Sequence, residues 1–375
     1  MTTSDLIVIG GGLVGTAIAY GAARQGARVT MLDEGDDAFR ASRGNFGLVW
    51  VQGKGFGMAP YARWTMGSAR LWPQLRDALR DETDIDVQLR QPGGFHLCFS
   101  GQEMAARQQR LQSIQDDLGG DYPFEMLDHH AVAQRLPGVG PAVIGASYTP
   151  MDGHTNPLKL LRALHSACQR RGVHILGRHG AQRITPEAGG FTVHSGNTRF
   201  AAPRIVLAAG LGNRLLAEQV GLHAPVAPNR GQVLIGERVA HWLDFPTTYV
   251  RQTDEGTIQL GDSMEDVGLD DGTTVDVLAS IAQRGVRSFP ALAGLKLVRA
   301  WGALRVMSPD GFPIYQESAS HPGAFVTTCH SGVTLAAAHA FLVAPWVAGG
   351  SQPPGIDVFA GDRFLNANQP FHHAH

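Results

Sequence analysis

Gly10, Gly12 and Gly15 stand at the spacing of a phosphate-holding turn in the segment "DLIVIGGGLVGTAIAYGAARQGARVTMLDEG", residues 5–35. Each answers a different steric demand: a tight backbone turn at Gly10, close approach of a pyrophosphate at Gly12, and close packing of helix on strand at Gly15. Leu13 and Val14 open the helix, whose N-terminal N–H groups and dipole favour an anion. Asp33 ends a second apolar run, with Glu34 beside it, and is placed to accept hydrogen bonds from the hydroxyls of an adenosine ribose. An acid at that position disfavours the 2′-phosphate of NADP and leaves NAD and FAD open.

In a chain with 47 glycines one such fingerprint is weak, and the elements around it supply its strength. Leu6-Ile7-Val8-Ile9 is a continuous apolar run, the pattern of a strand buried on both faces of a parallel sheet. A small-residue helix follows, and Arg28 to Leu32 reads as the second strand. Far along the chain, Ile205-Val206-Leu207-Ala208 reads as another buried strand. It ends in Ala209-Gly210, small residues that let backbone approach a ligand closely.

With 375 residues and 43% hydrophobic content, the chain has room for two domains or for one with a large insertion. Its net charge is −2 and its Lys and Arg are scattered singly, so there is no electrostatic footprint for nucleic acid or an anionic membrane. A small-molecule substrate is the expectation. The start lacks the layout of a signal peptide, and no apolar stretch reaches the roughly 20 residues that span a bilayer. "AAAHAFLVAPWVAGG" reads as a buried core helix containing Pro345. Cys98, Cys168 and Cys329 lie far apart, which argues for a reducing, cytoplasmic setting and against a disulfide framework or an iron–sulfur cluster. The sixteen histidines form no metal-ligand pattern; His129-His130 reads as part of a polar helix and "FHHAH" as a disordered tail.

A mixed α/β fold is expected: a discontinuous Rossmann-like nucleotide-binding domain over 1–85, 145–215 and 296–370, and a mainly antiparallel substrate domain over 86–144 and 216–295. A helix is expected over 57–80, interrupted at "LWPQL", then a glycine-bounded strand in "QPGGFHLCFS" and a charged helix over 101–117. "GQVLIGER", "TTYVRQ" and "GTIQLGDS" read as short strands of one antiparallel layer, and Met264-Glu265-Asp266 as a solvated turn.

Three further segments, "ASRGNFGLVW" (41–50), "WGALRVMSPDGFPIY" (301–315) and "CHSGVTLA" (329–336), join the opening fingerprint and "IVLAAGLGN". Together they resemble, in order and over nearly the whole chain, the FAD-dependent amino-acid oxidoreductases of the D-amino-acid oxidase, glycine oxidase and sarcosine oxidase group. "SRGNFGLVWVQGKG" looks more narrowly like the beta subunits of D-hydroxyproline dehydrogenase, opine oxidase and hydrogen cyanide synthase, and like iminodiacetate oxidase. The resemblance implies oxidation of a C–N bond in a small secondary or D-amino acid such as D-hydroxyproline. It implies electron transfer to partner subunits or a membrane acceptor in the dehydrogenases, and to oxygen in iminodiacetate oxidase.

The residues agree with FAD. Ser42-Arg43-Gly44-Asn45, with Gly47 and Leu48, offers backbone N–H groups to the pyrophosphate and flavin edge. Ser331-Gly332-Val333-Thr334 begins a helix whose N–H groups suit the flavin C2 carbonyl, a second late site that an NAD enzyme has no use for. Gly302 lies in the late Gly-x-x-Arg segment. By the resemblance, Arg305 in "WGALRVMSPDG" holds the substrate carboxylate through a two-pronged hydrogen bond, setting the substrate's Cα–H over the flavin for hydride transfer. His330 is a candidate base or flavin partner, or a structural histidine. Lys54 is a candidate for electrostatic action on the reduced ring or oxygen, or an exposed loop lysine; Gln52 is a candidate substrate partner. Arg251 is a candidate from the second domain's sheet, subject to the alternation of strand faces. Cys329 reads as a buried, inert thiol. A flavin-binding electron-relay subunit is the competing reading, and an arginine clamp for a carboxylate argues against it.

Overall fold

A computed structural model describes residues 4–35 and 41–365; the expected tail at "FHHAH" lies outside the described residues. Strand β1 (Leu6–Ile9) is fully buried and leads through the glycine turn into helix α1 (Leu13–Arg24). β2 (Val29–Leu32) follows and pairs with β1 in parallel. These strands centre a six-stranded sheet ordered Ile314–Glu317, Ala324–Thr328, Ile205–Leu207, β1, β2, His174–Leu176. Every neighbouring pair is parallel except the hairpin of Ile314–Glu317 with Ala324–Thr328. The carboxyl ends of β1, β2 and Ile205–Leu207 come together where ligands bind in open α/β sheets.

Helix α2 (Ala59–Thr83) packs against the helices Ala336–Ala338 and Pro157–Arg170 and runs unbroken through Pro73, where an interruption was expected. Its inward stripe, including Tyr61, Met66, Trp72, Leu75 and Leu79, lies in the main core, so burial offsets the hydrogen bond that proline removes.

Two antiparallel sheets build the other unit. One is ordered Val250–Gln252, Thr257–Gly261, Ala227–Arg238, Leu297–Met307, and the other Gly94–Cys98, Gly145–Thr149, Glu125–Asp128. Phe95 joins them: its N–H donates to Pro246 O at 3.1 Å and its carbonyl accepts from Thr248 N at 3.0 Å. A shared core of Phe95, Leu97, Val250, Ile258 and Phe289 sits between the two sheets. Helix α3 (Gly101–Asp117), capped by Ser100 Oγ accepting from Glu103 N, packs against the smaller sheet. Because 145–149 and 297–307 hydrogen-bond into these antiparallel sheets, we propose the domain boundaries at 150 and 308 rather than at 145 and 296.

Candidate active site

At the end of β1 the backbone turns at Gly10 with φ +111°, and a Cβ there would lie 2.3 Å from Ala208 O. At Gly15 a Cβ would lie 1.9 Å from Gly10 O, so only glycine lets α1 pack this close to the strand. Gly12 caps α1 without a side chain. One N–H of the first turn, at Leu13, donates to Ser42 Oγ at 2.9 Å. Asp33 lies across the turn, Oδ2 accepting from Gly11 N at 2.7 Å and Oδ1 from Gly35 N at 2.9 Å. Ala209 backs Gly10, and Gly210 adopts φ +58°. Glu34 faces a neighbouring open cavity of about 530 Å³ with Arg178 and His179. A side-chain-free helix start, backbone packed too closely for any Cβ and a carboxylate on the next strand fit a dinucleotide.

The late turn lies against this helix start, since a Cβ on Gly332 would sit 3.6 Å from Val14 Cγ2. Thr334 pins it: Oγ1 accepts from Trp50 N at 3.1 Å, and the carbonyl accepts from Ser68 Oγ at 2.7 Å and Trp72 Nε1 at 3.1 Å. Leu335 N donates to Ser331 O at 3.0 Å, and the regular helix begins at Ala336, one turn later than expected. The Gly44 loop closes the same region. Trp301 Nε1 donates to Gly44 O at 3.2 Å, Asn45 Oδ1 accepts from Gly47 N at 2.7 Å, and Gly47 takes φ +90° against Thr155 O. Arg43 is exposed at its rim.

From there a cavity of about 560 Å³ extends between the two units, lined among others by Asn45, Leu48, Lys54, Tyr249, Arg305, His330 and Val333. Arg305 Nη1 donates to Asn229 Oδ1 at 3.0 Å and Nη2 to Asp262 Oδ2 at 2.5 Å. Its guanidinium lies over Gly231, where a Cβ would come within 2.4 Å of Nη2. Asp262 is 41% exposed against 14% for Arg305, so the carboxylate stands on the solvent side of the pair. Lys54 Nζ donates to Ser331 Oγ, which also accepts from Tyr61 OH at 3.1 Å and lies 3.5 Å from His330 Nδ1. Burial pushes the Lys54 ammonium down to about 8, opposed by Cys329 and Asp152. Burial likewise pushes Asp152 up to about 7, although it accepts from Val51 N and Gln52 Nε2, and the Cys329 thiol up to about 12.

Several expected residues take other places. Gln52 lines the cavity, but its amide is engaged in the wall: Nε2 donates to Gly94 O and Asp152 Oδ2, and Oε1 accepts from Arg107 Nη2 and Ser147 Oγ. Arg251 does not line the cavity. Strand alternation turns it under the Phe46 ring, 2% exposed, where it donates to Gln259 Oε1 and Thr155 O and lies 3.2 Å from His154 Nδ1. Gly302 packs against Gly272 O and Asp271 O, so it seats a loop rather than facing the cavity. The turn expected to be solvated at 264–266 is exposed at Met264 and Asp266 but also bonds inward. Glu265 pairs with the buried Arg230 at 2.8 Å, Asp266 Oδ1 accepts from Asn229 Nδ2 at 3.0 Å, and Met264 lines the cavity. Sequence reasoning missed Arg107, Arg110, Tyr249, Asp262 and Arg284 in the lining and Asp152 behind it. One signal was available in α3, where Arg107 heads the buried series Arg107, Leu111, Ile114 at helical spacing.

Residues 5–346 match the family of FAD-dependent oxidoreductases abbreviated DAO. The chain is 44% identical over 361 residues to a subunit of the opine oxidase of Agrobacterium tumefaciens (strain Ach5), covering 96% of this chain and 97% of that one. In fold it is similar to glycine oxidase from Geobacillus kaustophilus, with a TM-score of 0.89 at 23% identity, covering 96% of this chain and 98% of that one. Iminodiacetate oxidase from Chelativorans sp. BNC1 superimposes with a TM-score of 0.83 at 18% identity, over 95% and 98% of the two chains. With a glycine cradle fitted to a dinucleotide and a family match over most of its length, the chain belongs to the DAO family of FAD-dependent oxidoreductases.

Proposed function

We propose that the chain oxidises the C–N bond of a small secondary or D-amino acid to the imine. The observation that carries this reading is Arg305, whose guanidinium already takes a carboxylate, that of Asp262, in the cavity next to the late turn. A substrate carboxylate would displace the half-exposed Asp262 and use the same fork. FAD, when bound, supplies a hydride acceptor at N5. The chain's own task is orientation and proton handling. Arg305 and Asn229 fix the carboxylate end, Lys54 Nζ holds or takes a proton at the cavity wall, and the apolar Leu48, Trp50 and Val333 exclude water. Anaerobic bleaching of the bound flavin, tried with glycine, sarcosine, D- and L-proline, D-hydroxyproline, D-amino acids, iminodiacetate and opines, tests the reading. Failure of every amine to reduce the flavin would discard it in favour of an electron-relay subunit.

For the cofactor, we assign Gly10, Gly12, Leu13, Val14, Gly15, Ser42, Arg43 and Gly44 to the pyrophosphate side and Asp33 and Glu34 to the ribose side. Asn45, Gly47, Leu48, Ala209, Gly210, Ser331, Gly332, Val333 and Thr334 go to the flavin side. Asp33→Ala removes a charged acceptor and is expected to weaken FAD retention by about 1.5–3 kcal/mol with the fold intact. Unchanged FAD affinity would move the ribose contact to Glu34. The flavin is held without a covalent bond: Trp301 to Ser308 contains no cysteine, Cys98 and Cys168 are fully buried, and Cys329 stays a protonated thiol at neutral pH. Acid precipitation is expected to leave the flavin in the supernatant, and yellow protein pellets would contradict it.

We further propose that electrons leave through partner subunits, a reading favoured by the 44% identity to a protein that is named as one subunit of an opine oxidase. The isolated chain should reduce an artificial dye faster than oxygen. Stoichiometric peroxide at the full rate of amine oxidation would reverse this.

A further inference from the structure

Among the described residues the cavity is lined by five cationic side chains, Lys54, Arg107, Arg110, Arg284 and Arg305, and by one carboxylate, Asp262. In a chain of net charge −2, this local excess of positive charge is more than one substrate carboxylate and one reduced flavin would neutralise. Most of the cations are committed to the protein. Arg107 donates to Ser147 Oγ and Gln52 Oε1, Arg284 Nη2 to the carbonyls of Gly261 and Asp262, Arg305 to Asn229 and Asp262, and Lys54 to Ser331.

Arg110 differs from them. Its Nε donates to Gly53 O at 3.3 Å and its guanidinium stacks 5.1 Å from the centre of the Phe56 ring. Among the described residues neither Nη group has a hydrogen-bond partner, and no carboxylate lies within ion-pair reach. The stacking and the Gly53 carbonyl fix the plane of the fork while leaving its outer edge open, a geometry that suits a second carboxylate. Burial and the neighbouring Arg107 cation both hold Arg110 below its ordinary guanidinium value, so an anion there would relieve an existing strain between like charges.

Resting on the reading of an amino-acid oxidoreductase, we propose that Arg110 binds a second anionic group of the substrate, so that the preferred substrate is a secondary amine carrying two carboxylates, one on Arg305 and one on Arg110. Arg110 then sets specificity and takes no part in the chemistry.

The test pairs glycines bearing N-carboxymethyl, N-carboxyethyl or N-carboxypropyl groups with their N-methyl, N-ethyl and N-propyl counterparts, in flavin reduction by the parent, Arg110→Met and Arg110→Lys holoproteins. Binding of glutarate and of butyrate is followed in parallel through the flavin absorption band. The parent should favour at least one dicarboxylate over its counterpart. Arg110→Met should lower that kcat/KM about thirty-fold or more, chiefly through KM, while changing the monocarboxylates less than about three-fold. Arg110→Lys should recover part of the loss, and glutarate should lose its advantage over butyrate in Arg110→Met. Equal losses on both series, or no preference in the parent, would overturn the proposal and leave Arg110 as a solvated wall residue. If no amine reduces the flavin, the oxidoreductase reading fails, and the glutarate and butyrate titrations still decide whether Arg110 binds a second carboxylate.

Discussion

Arg305→Met is expected to lower kcat/KM for the best amino-acid substrate by about 30-fold to several thousand-fold, the equivalent of about 2–5 kcal/mol lost from a hydrogen-bonded charge pair in a desolvated site. Methionine keeps the stem and removes the fork. What is lost is both attraction and direction, because a two-pronged contact fixes the plane of the carboxylate and with it the position of the Cα–H. The surroundings are built to hold this guanidinium: Gly231 leaves the space beneath it, Asn229 takes one arm, and Asp266 in turn holds Asn229. FAD content should change little, since Arg305 neighbours Asp262 and Asn229 rather than the glycine turn. Asp262→Asn separates the clamp from its resident partner. By removing the competing charge it should leave turnover intact and lower KM. Anaerobic flavin reduction at varied substrate concentration gives both parameters; equal rates and affinities in the parent and Arg305→Met would take Arg305 out of the site.

The nucleotide end of the site was legible because its requirements are local. Gly10, Gly12 and Gly15 meet steric demands set within one turn, and Leu6–Ile9 is buried on both faces, so each leaves a mark on a few neighbouring residues. The substrate end depends on contacts across more than 100 residues. Arg107 and Arg110 come from α3, Tyr249 from the segment leading into the strand Val250–Gln252, Arg284 from the helix Val275–Ser288 and Arg305 from the strand Leu297–Met307. Arg107, Arg110, Tyr249 and Arg284 each sit in a stretch that gives no local sign of the cavity, and Arg305 was named through the family resemblance rather than through its neighbours. Arg251 shows the opposite error. Its strand was found, but the face on which it points depends on register, and a shift of one residue exchanges cavity for core. Pro73 misled for a similar reason, since a helix-breaking propensity worth a few kcal/mol is outweighed by a long buried stripe that only the folded structure reveals.

Lys54→Met is expected to slow flavin reduction by about 10²- to 10⁴-fold, the range over which a positioned base contributes, and to remove one limb of the pH profile. A substrate amine arrives as the ammonium and can give up hydride at its carbon only after losing a proton. Lys54 Nζ stands in the cavity wall on Ser331 Oγ, beside the turn assigned to the flavin. Burial holds its pKa at about 8, below the ordinary lysine value, so it carries a proton below that pH and is neutral above it. A base acts in its neutral form. The parent's limiting rate should therefore rise with pH through a midpoint near 8, and Lys54→Met should lose that rise while keeping any dependence that belongs to the substrate's own amine. Ser331 keeps its hydrogen bond from Tyr61 in the variant, so the late turn should hold and FAD content should stay near that of the parent. Rapid-mixing measurements of flavin reduction from pH 6.5 to 9.5 read this directly. A parent rate that falls through the same midpoint would assign the work to the charged ammonium, as an electrostatic partner of the reduced ring, and an unchanged profile in Lys54→Met would remove Lys54 from proton transfer altogether.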